Sequence, residues 1–501
     1  RYPMLMLIAV PSHEIGQRLR NALVERFFQR SLGYYDKAKS GDLMALATAD
    51  VLATRMMFGP GILIGADAVM IVALVIVVMM SLSWKLTLIA MIPLPLIALL
   101  TNSLSHAEYN RFEDVQRDLA KLTERARESF AGLRVLQAYA REPFDIARFA
   151  EASERHLALQ VRLARVKSVF GPSLDLMTGL SMALVVIFGG REVVSGAMSV
   201  GTFVAFLFLV GFLSGPMMGF GWAVSLIQRG RASLSRLDAF LAEPVDAPTG
   251  TQSADTTAMG RLELHNVTFS YAGQDRPALE GVSVVVEPGT TLGIIGPVGA
   301  GKSTLAKLLV RLYEPGRGQV RVNGVDVLDI DPDALRQCVA LAPQETFLFS
   351  DTVARNIGLS PRMLEPAEQY AARACLHDEV LALPRRYETL LGERGLMLSG
   401  GQRQRVAIAR TLAAEAPVVV LDDCLSAVDA RTEEAILASL RGALANKTGV
   451  IISHRVCAVR DCDHILVLED GRVTAAGTHA KLAAADGFYA RIVREQGMDT
   501  P

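Results

Sequence analysis

Leu292-Gly293-Ile294-Ile295-Gly296-Pro297-Val298-Gly299-Ala300-Gly301-Lys302-Ser303-Thr304 specifies the fold of the C-terminal half of this 501-residue chain. Its first four residues are apolar and read as a buried strand. Leu305, Leu308, Leu309 and Leu312 then place one apolar face on a helix. Between strand and helix, Gly296, Gly299 and Gly301 let the backbone curl so that its N–H groups face phosphates at the helix N-terminus. In that setting Lys302 reaches the β- and γ-phosphates, the Ser303 hydroxyl ligates Mg²⁺, and Thr304 completes the binding loop. The loop is a phosphate cradle and not a chance turn, because strand, loop, Lys-Ser pair and helix occur together in that order.

Working outward, Val418-Val419-Val420-Leu421-Asp422 reads as a fully buried strand ending in a carboxylate, placed to hold Mg²⁺ or its waters. Further β-patterned runs (262–271, 291–295, 450–453 and 465–468) alternate with helical stretches. This is an α/β domain on a largely parallel sheet. Upstream, residues 243–260 carry Pro244, Pro248, Gly250 and a run of Thr, Ser, Ala and Asp, the composition of a linker.

The first half has a different texture. Hydrophobic residues make up 51% of the whole chain and charged residues 21%, with mean hydropathy +0.30, high for a purely soluble protein. Residues 59–83 and 84–103 are almost wholly apolar, as are 169–190 and 200–227. Each is about long enough to cross a bilayer core of roughly 30 Å. Ser81 to Lys85 alone separates the first two, so a tight hairpin with Trp84 at the interface is expected. The stretch 106–167 is too charged for lipid and rich in arginine, which places it on the cytoplasmic side. Tyr2 to Pro11 is apolar but short, and reads as the tail of a spanning helix; four complete spans plus this remnant are expected. Net charge is −1, which gives no bias toward nucleic acid. The five cysteines include no C-x-x-C pair, so neither a zinc site nor a disulfide framework is indicated, and a reduced cytosolic C-terminal half fits.

Leu398-Ser399-Gly400-Gly401-Gln402 narrows the class. The chain here resembles the ATP-binding cassette family, whose signature motif it matches in full. The resemblance implies that Tyr271 stacks on adenine, that Gln344 contributes to the metal and water site, and that Ser426 to Asp429 form the D-loop. It further implies that His454 contacts the γ-phosphate, and that Ser399, Gly401 and Gln402 bind nucleotide across a dimer interface. Gly392-Glu393-Arg394-Gly395 resembles the loop that precedes the signature in exporters. In the membrane half, Tyr34-Tyr35-Asp36 to Met44 resembles the exporters' first cytoplasmic loop, and Glu128 to Tyr139 the second. The fold implied is a helical transmembrane bundle of exporter type followed by a P-loop cassette. The boundaries expected are residues 1–241 for the bundle, incomplete at its N-terminus, 242–260 for the linker and 261–501 for the cassette. Six spanning helices are usual in a half-transporter, so the first and most of the second are expected to be missing.

Asp423 departs from the family pattern. The residue after the Asp at the end of this strand is normally a glutamate that polarises the attacking water. Aspartate is one methylene shorter, which sets its carboxylate back by roughly 1 to 1.5 Å, and misplacement of that order costs about 10²-fold in rate. Heterodimeric exporters resemble this arrangement, pairing one impaired ATP site with one competent site. The expectation is therefore an ATP- and Mg²⁺-dependent exporter ATPase of the cell membrane, with its cassette cytoplasmic and a second half-transporter as partner. A homodimer with two slow sites and an ATP-gated channel or regulator remain open. A soluble repair or translation ATPase is disfavoured by the apolar run 63–80. The cargo is not readable. Gly211, Gly215 and Gly219 beside Pro216 form either a close-packing face or a hinge. Asp67 and Asp175 lie in or near apolar spans, on the substrate path, at helix ends or in polar pairs.

Overall fold

A computed structural model describes residues 2–245, 250–252, 260–392, 395, 397–426 and 428–496. Two compact units emerge, one of Arg1–Glu25 with Gly41–Glu243, the other of Arg26–Ser40 with Pro244–Pro501.

The first unit is all helical. Among the described residues, three helices are long and apolar enough to cross a membrane: Ser40–Leu82, Glu142–Val194 and Val200–Ala242. The expected spans 169–190 and 200–227 fall within the last two, and 59–83 falls within the first except for Ser83. The fourth, 84–103, is broken into Trp84–Met91 and the start of Leu94–Ala131. Pro93 supplies the reason, since it has no N–H to donate and its ring crowds the preceding turn. The tight hairpin forms as expected, because Ser83 is extended and its side chain accepts from the Leu86 N–H to cap the next helix. Within Ser40–Leu82, wide π-type turns at Leu46–Asp50 and Met57–Gly61 interrupt the α-helical ladder. The second contains Pro60, which removes a ladder donor.

One buried apolar cluster in this unit joins Val75, Met79, Leu86, Ala90, Val185, Phe206, Val210 and Leu213, and further buried side chains, Leu23, Leu163 and Leu237 among them, lie along the other helices. Many large apolar side chains, Leu74, Val77, Phe208 and Phe212 among them, stay exposed. Water would not tolerate so broad an apolar surface, whereas a bilayer requires it. Of the glycine row, Gly219 faces Ile64 and Gly211 faces Met182, which favours close packing at those two positions. Asp175 is exposed and Asp67 half-buried.

The second unit contains the cassette. Its strands are β1 (Leu262–Phe269), β2 (Leu279–Val286), β3 (Thr291–Ile295), β4 (Arg317–Val322), β5 (Val325–Asp326), β6 (Val339–Ala342), β7 (Val418–Asp422), β8 (Thr448–Ile452), β9 (His464–Glu469) and β10 (Arg472–Gly477). One sheet runs β10-β9-β3-β8-β7-β6, parallel except for the β10–β9 edge. The other runs β2-β1-β4-β5 and is antiparallel. The continuous apolar runs anticipated for a covered sheet have a plain cause. Val419 and Leu421 of β7 enter one core while Val418 and Val420 enter the other, so both faces are buried. The antiparallel sheet was not foreseen as a separate layer. Most of the expected linker lies outside the described residues, but Gln252 within it makes a parallel bridge to Ile330.

Candidate functional site

β3 delivers the phosphate loop and the helix Lys302–Leu309 carries it away. Two glycines are required by space. A Cβ on Gly296 would strike the Leu468 carbonyl, and one on Gly301, which sits at φ +93°, would strike that of Ala278. The loop is thereby wedged against β9 and the start of β2, and its curl is not free to open. The Lys302 ammonium donates to the loop's own carbonyls, Gly296 at 2.7 Å and Pro297 at 2.8 Å. Burial pulls its pKa below the ordinary lysine value, and the Asp423 and Asp422 carboxylates oppose that shift.

Asp422, at the C-terminal end of β7, is only 3% exposed. The Ser303 hydroxyl donates to its Oδ1 at 3.0 Å, which brings together two of the three residues expected at the metal. Burial raises the Asp422 pKa and neighbouring Asp423 adds to the rise, with Ser303, Lys307 and Lys302 opposing it. A hydroxyl and a carboxylate converging in a buried corner make an all-oxygen donor set that suits Mg²⁺. Gln344, the third, lies exposed just beyond β6.

The chain turns sharply after Asp422. Asp423 takes a left-handed φ of +46°, and its N–H bonds the Ile452 carbonyl at 2.9 Å. Its carboxylate meets the His454 Nδ1 at 3.0 Å. Asp423 and His454, expected as separate contributors, are thus held to each other from the ends of adjacent parallel strands β7 and β8.

Tyr271 is placed beside the loop. Its hydroxyl lies 3.1 Å from the Thr304 Oγ1, and its ring meets Phe269 edge-on with centroids 5.0 Å apart. Ser399, Gly401 and Gln402 stand elsewhere, at the start of the helix Gly400–Ala413. There Ser399 and Gln402 form a reciprocal capping box, and the Gln402 amide donates to Glu379 at 2.7 Å. Among the described residues no hydrogen bond or ion pair joins these three to the phosphate loop. A relay does lead back from the same helix, since Gln404 donates to Ser426 and Ser426 donates to the Asp423 carbonyl. Asp429 caps the helix Ala430–Leu444. Glu393, Arg394 and Ala427, parts of the expected exporter and D-loops, lie outside the described residues.

Several contributors were not singled out from sequence. Glu379 also pairs with the buried Arg405, and so holds the signature helix from below. Tyr313 meets Tyr271 edge-on, and no motif points to it. In the helical unit, Arg236 grips the buried Asp50 through two bonds, a pairing 186 residues apart that no local pattern reveals.

Comparison with known proteins places these features in a family. Residues 5–217 match the family described as ABC transporter transmembrane region, and residues 279–426 match that described as ABC transporter. The chain is 35% identical to the multidrug resistance-like ATP-binding protein MdlA of Escherichia coli, across 100% of this chain and 85% of that protein. It is also 35% identical to an ATP-dependent lipid A-core flippase of Aromatoleum aromaticum, across 96% of this chain and 80% of that one. A solved structure of a bacterial Atm1-family ABC exporter with ATP bound is similar at 27% identity and a TM-score of 0.81, covering 99% of this chain and 87% of that chain.

Proposed function

Because this chain belongs to the ABC transporter family, as an exporter half-transporter with its ATPase cassette, we propose that it serves as the impaired-site subunit of a heterodimeric exporter. The observation that carries this reading is Asp423, a short carboxylate where the family has glutamate, bound to His454 amid an otherwise complete set of motifs.

In this reading Tyr271 stacks on adenine. The N–H groups of Val298 to Thr304 wrap the phosphates, and Lys302 leaves its two carbonyl partners for β- and γ-phosphate oxygens. Ser303, Asp422 and Gln344 would hold Mg²⁺, which when bound would neutralise charge on the phosphates. Asp423 carries too little reach to orient water well, so ATP at this site is held long and cleaved slowly. The intact Ser399, Gly401 and Gln402 close the partner's competent site. Closure of the two cassettes is passed to the membrane helices by the short helices Leu32–Lys37 and Leu133–Ala138. The chain lies in the cytoplasmic membrane with its cassette on the cytoplasmic side, as the arginine-rich stretch 106–167 supports. The cargo is a drug- or lipid-type compound, as the named activities of its relatives support.

Severities of two lesions test the assignment. Ser399→Arg puts a bulky cation at the partner's ATP and is expected to abolish most ATPase activity of the assembled transporter. Lys302→Ala, acting on the slow site, is expected to do less damage to turnover. The reverse order would assign the competent site to this chain.

A further inference from the structure

The helix Leu32–Lys37 belongs to the same compact unit as the cassette, although segments of the helical unit precede and follow it in the chain. It is held firmly. Ser31 caps it by accepting from the Tyr34 N–H, and the Tyr35 hydroxyl donates to the Phe27 carbonyl at 2.7 Å. Arg30 spans 4.8 Å to the Tyr34 ring and donates to the Pro244 carbonyl at 2.6 Å. From this helix Asp36 accepts a hydrogen bond of 2.6 Å from the Tyr313 hydroxyl.

Tyr313 lies just past the phosphate-loop helix and has a second face of contact. Its ring meets that of Tyr271 edge-on at 5.3 Å and 85°, and that of Phe269 at 5.5 Å. The Lys307 ammonium stands over both tyrosines, 5.9 Å from Tyr271 and 5.8 Å from Tyr313. Edge-to-face pairs favour one relative ring setting, and a hydroxyl donating to a carboxylate is about twice as strong as a neutral bond. Tyr313 therefore has its ring on Tyr271 and its tip on Asp36. Burial, and then the Asp36 carboxylate, raise the Tyr313 pKa, so the hydroxyl keeps the proton it donates.

We propose that Tyr313 is a positioning residue: it sets the Tyr271 ring for adenine and ties that setting to the first-loop helix through Asp36. The inference rests on the reading of Tyr271 as the adenine-stacking residue. Its consequence is that base stacking, and not only phosphate binding, is linked to the position of the first cytoplasmic loop. The linkage is reciprocal, so loosening the loop contact weakens adenine binding.

The test uses the assembled transporter with this chain photolabelled by 8-azido-ATP, the label being competed by ATP or by inorganic tripolyphosphate, which has no base. Tyr271→Leu is expected to weaken competition by ATP about 10-fold and to leave tripolyphosphate unchanged. Tyr313→Leu is expected to weaken ATP about 3- to 10-fold, again with tripolyphosphate unchanged. Tyr313→Phe, which keeps the ring and its packing, and Asp36→Ala each weaken ATP about 2- to 3-fold, and the double variant is no worse than either alone because one bond is lost in all three. Tyr271→Leu without effect on ATP overturns the adenine reading and this inference with it. If Tyr271→Leu weakens ATP while Tyr313→Leu does not, the adenine reading stands and the positioning role is refuted. Equal losses for ATP and tripolyphosphate in Tyr313→Leu, or additive losses in the Tyr313→Phe, Asp36→Ala pair, also overturn the inference.

Discussion

Lengthening Asp423 by one methylene is the perturbation that bears most closely on why this site should be slow. In Asp423→Glu the carboxylate advances by about 1 to 1.5 Å, the distance by which aspartate falls short of a water-orienting base. The backbone at this position is fixed by the Asp423 N–H bond to Ile452 and by the left-handed turn, so the added length projects forward and is not absorbed by the chain. The His454 contact at 3.0 Å must shift to admit it, and the histidine is half exposed and has room to do so. Restored reach is worth up to about 10²-fold in hydrolysis at this site. The assay is single-turnover cleavage of ATP prebound to this chain in the assembled transporter, followed as conversion of photolabelled triphosphate to diphosphate. A rate unchanged within about 2-fold, with ATP affinity preserved, would show that reach is not what this carboxylate lacks.

Other expectations follow from single contacts. Lys302→Ala removes charge at the β- and γ-phosphates and should sharply weaken nucleotide binding at this chain's own site, measured by photolabel competition. Gly301→Ala meets both a positive φ and the Ala278 carbonyl, so it should distort the loop and lower nucleotide affinity while the thermal transition of the protein falls by a few degrees or less. Glu415 supplies a pH dependence. Burial alone would raise its pKa from 4.5, but hydrogen bonds from Lys447 and Tyr370 outweigh burial and leave it lowered. The folded value being depressed, its stabilising contribution is complete well above pH 4.5 and is lost as pH falls through the folded value. Glu415→Gln should therefore lower the melting temperature at pH 7 and make the wild-type advantage disappear in acid.

The phosphate loop was legible because its chemistry is local. Strand, glycines, Lys302, Ser303 and helix are contiguous, and the buried run ending in Asp422 has no other use for a carboxylate. Pairings across long separations were not legible. Nothing near Asp50 announces Arg236, and nothing near Asp36 announces Tyr313, because those contacts arise only when distant helices and loops are brought together. The same holds for the association of residues 26–40 with the cassette, since hydrophobic pattern reports burial and not which neighbour provides it. Pro93 shows the opposite failing. Apolar content is continuous across 84–103, but this proline within it interrupts the helix at residues 92–93.

In the proposed heterodimer the competent ATP site lies on the partner's Walker motifs and not on this chain's. The most direct test of that claim is the steady-state ATPase rate of Asp423→Asn in the natively assembled complex, set against wild type. Removing the carboxylate from a site that already contributes little should leave total turnover nearly unchanged. Near-complete loss would contradict the claim and establish Asp423, paired with His454, as a working catalytic base.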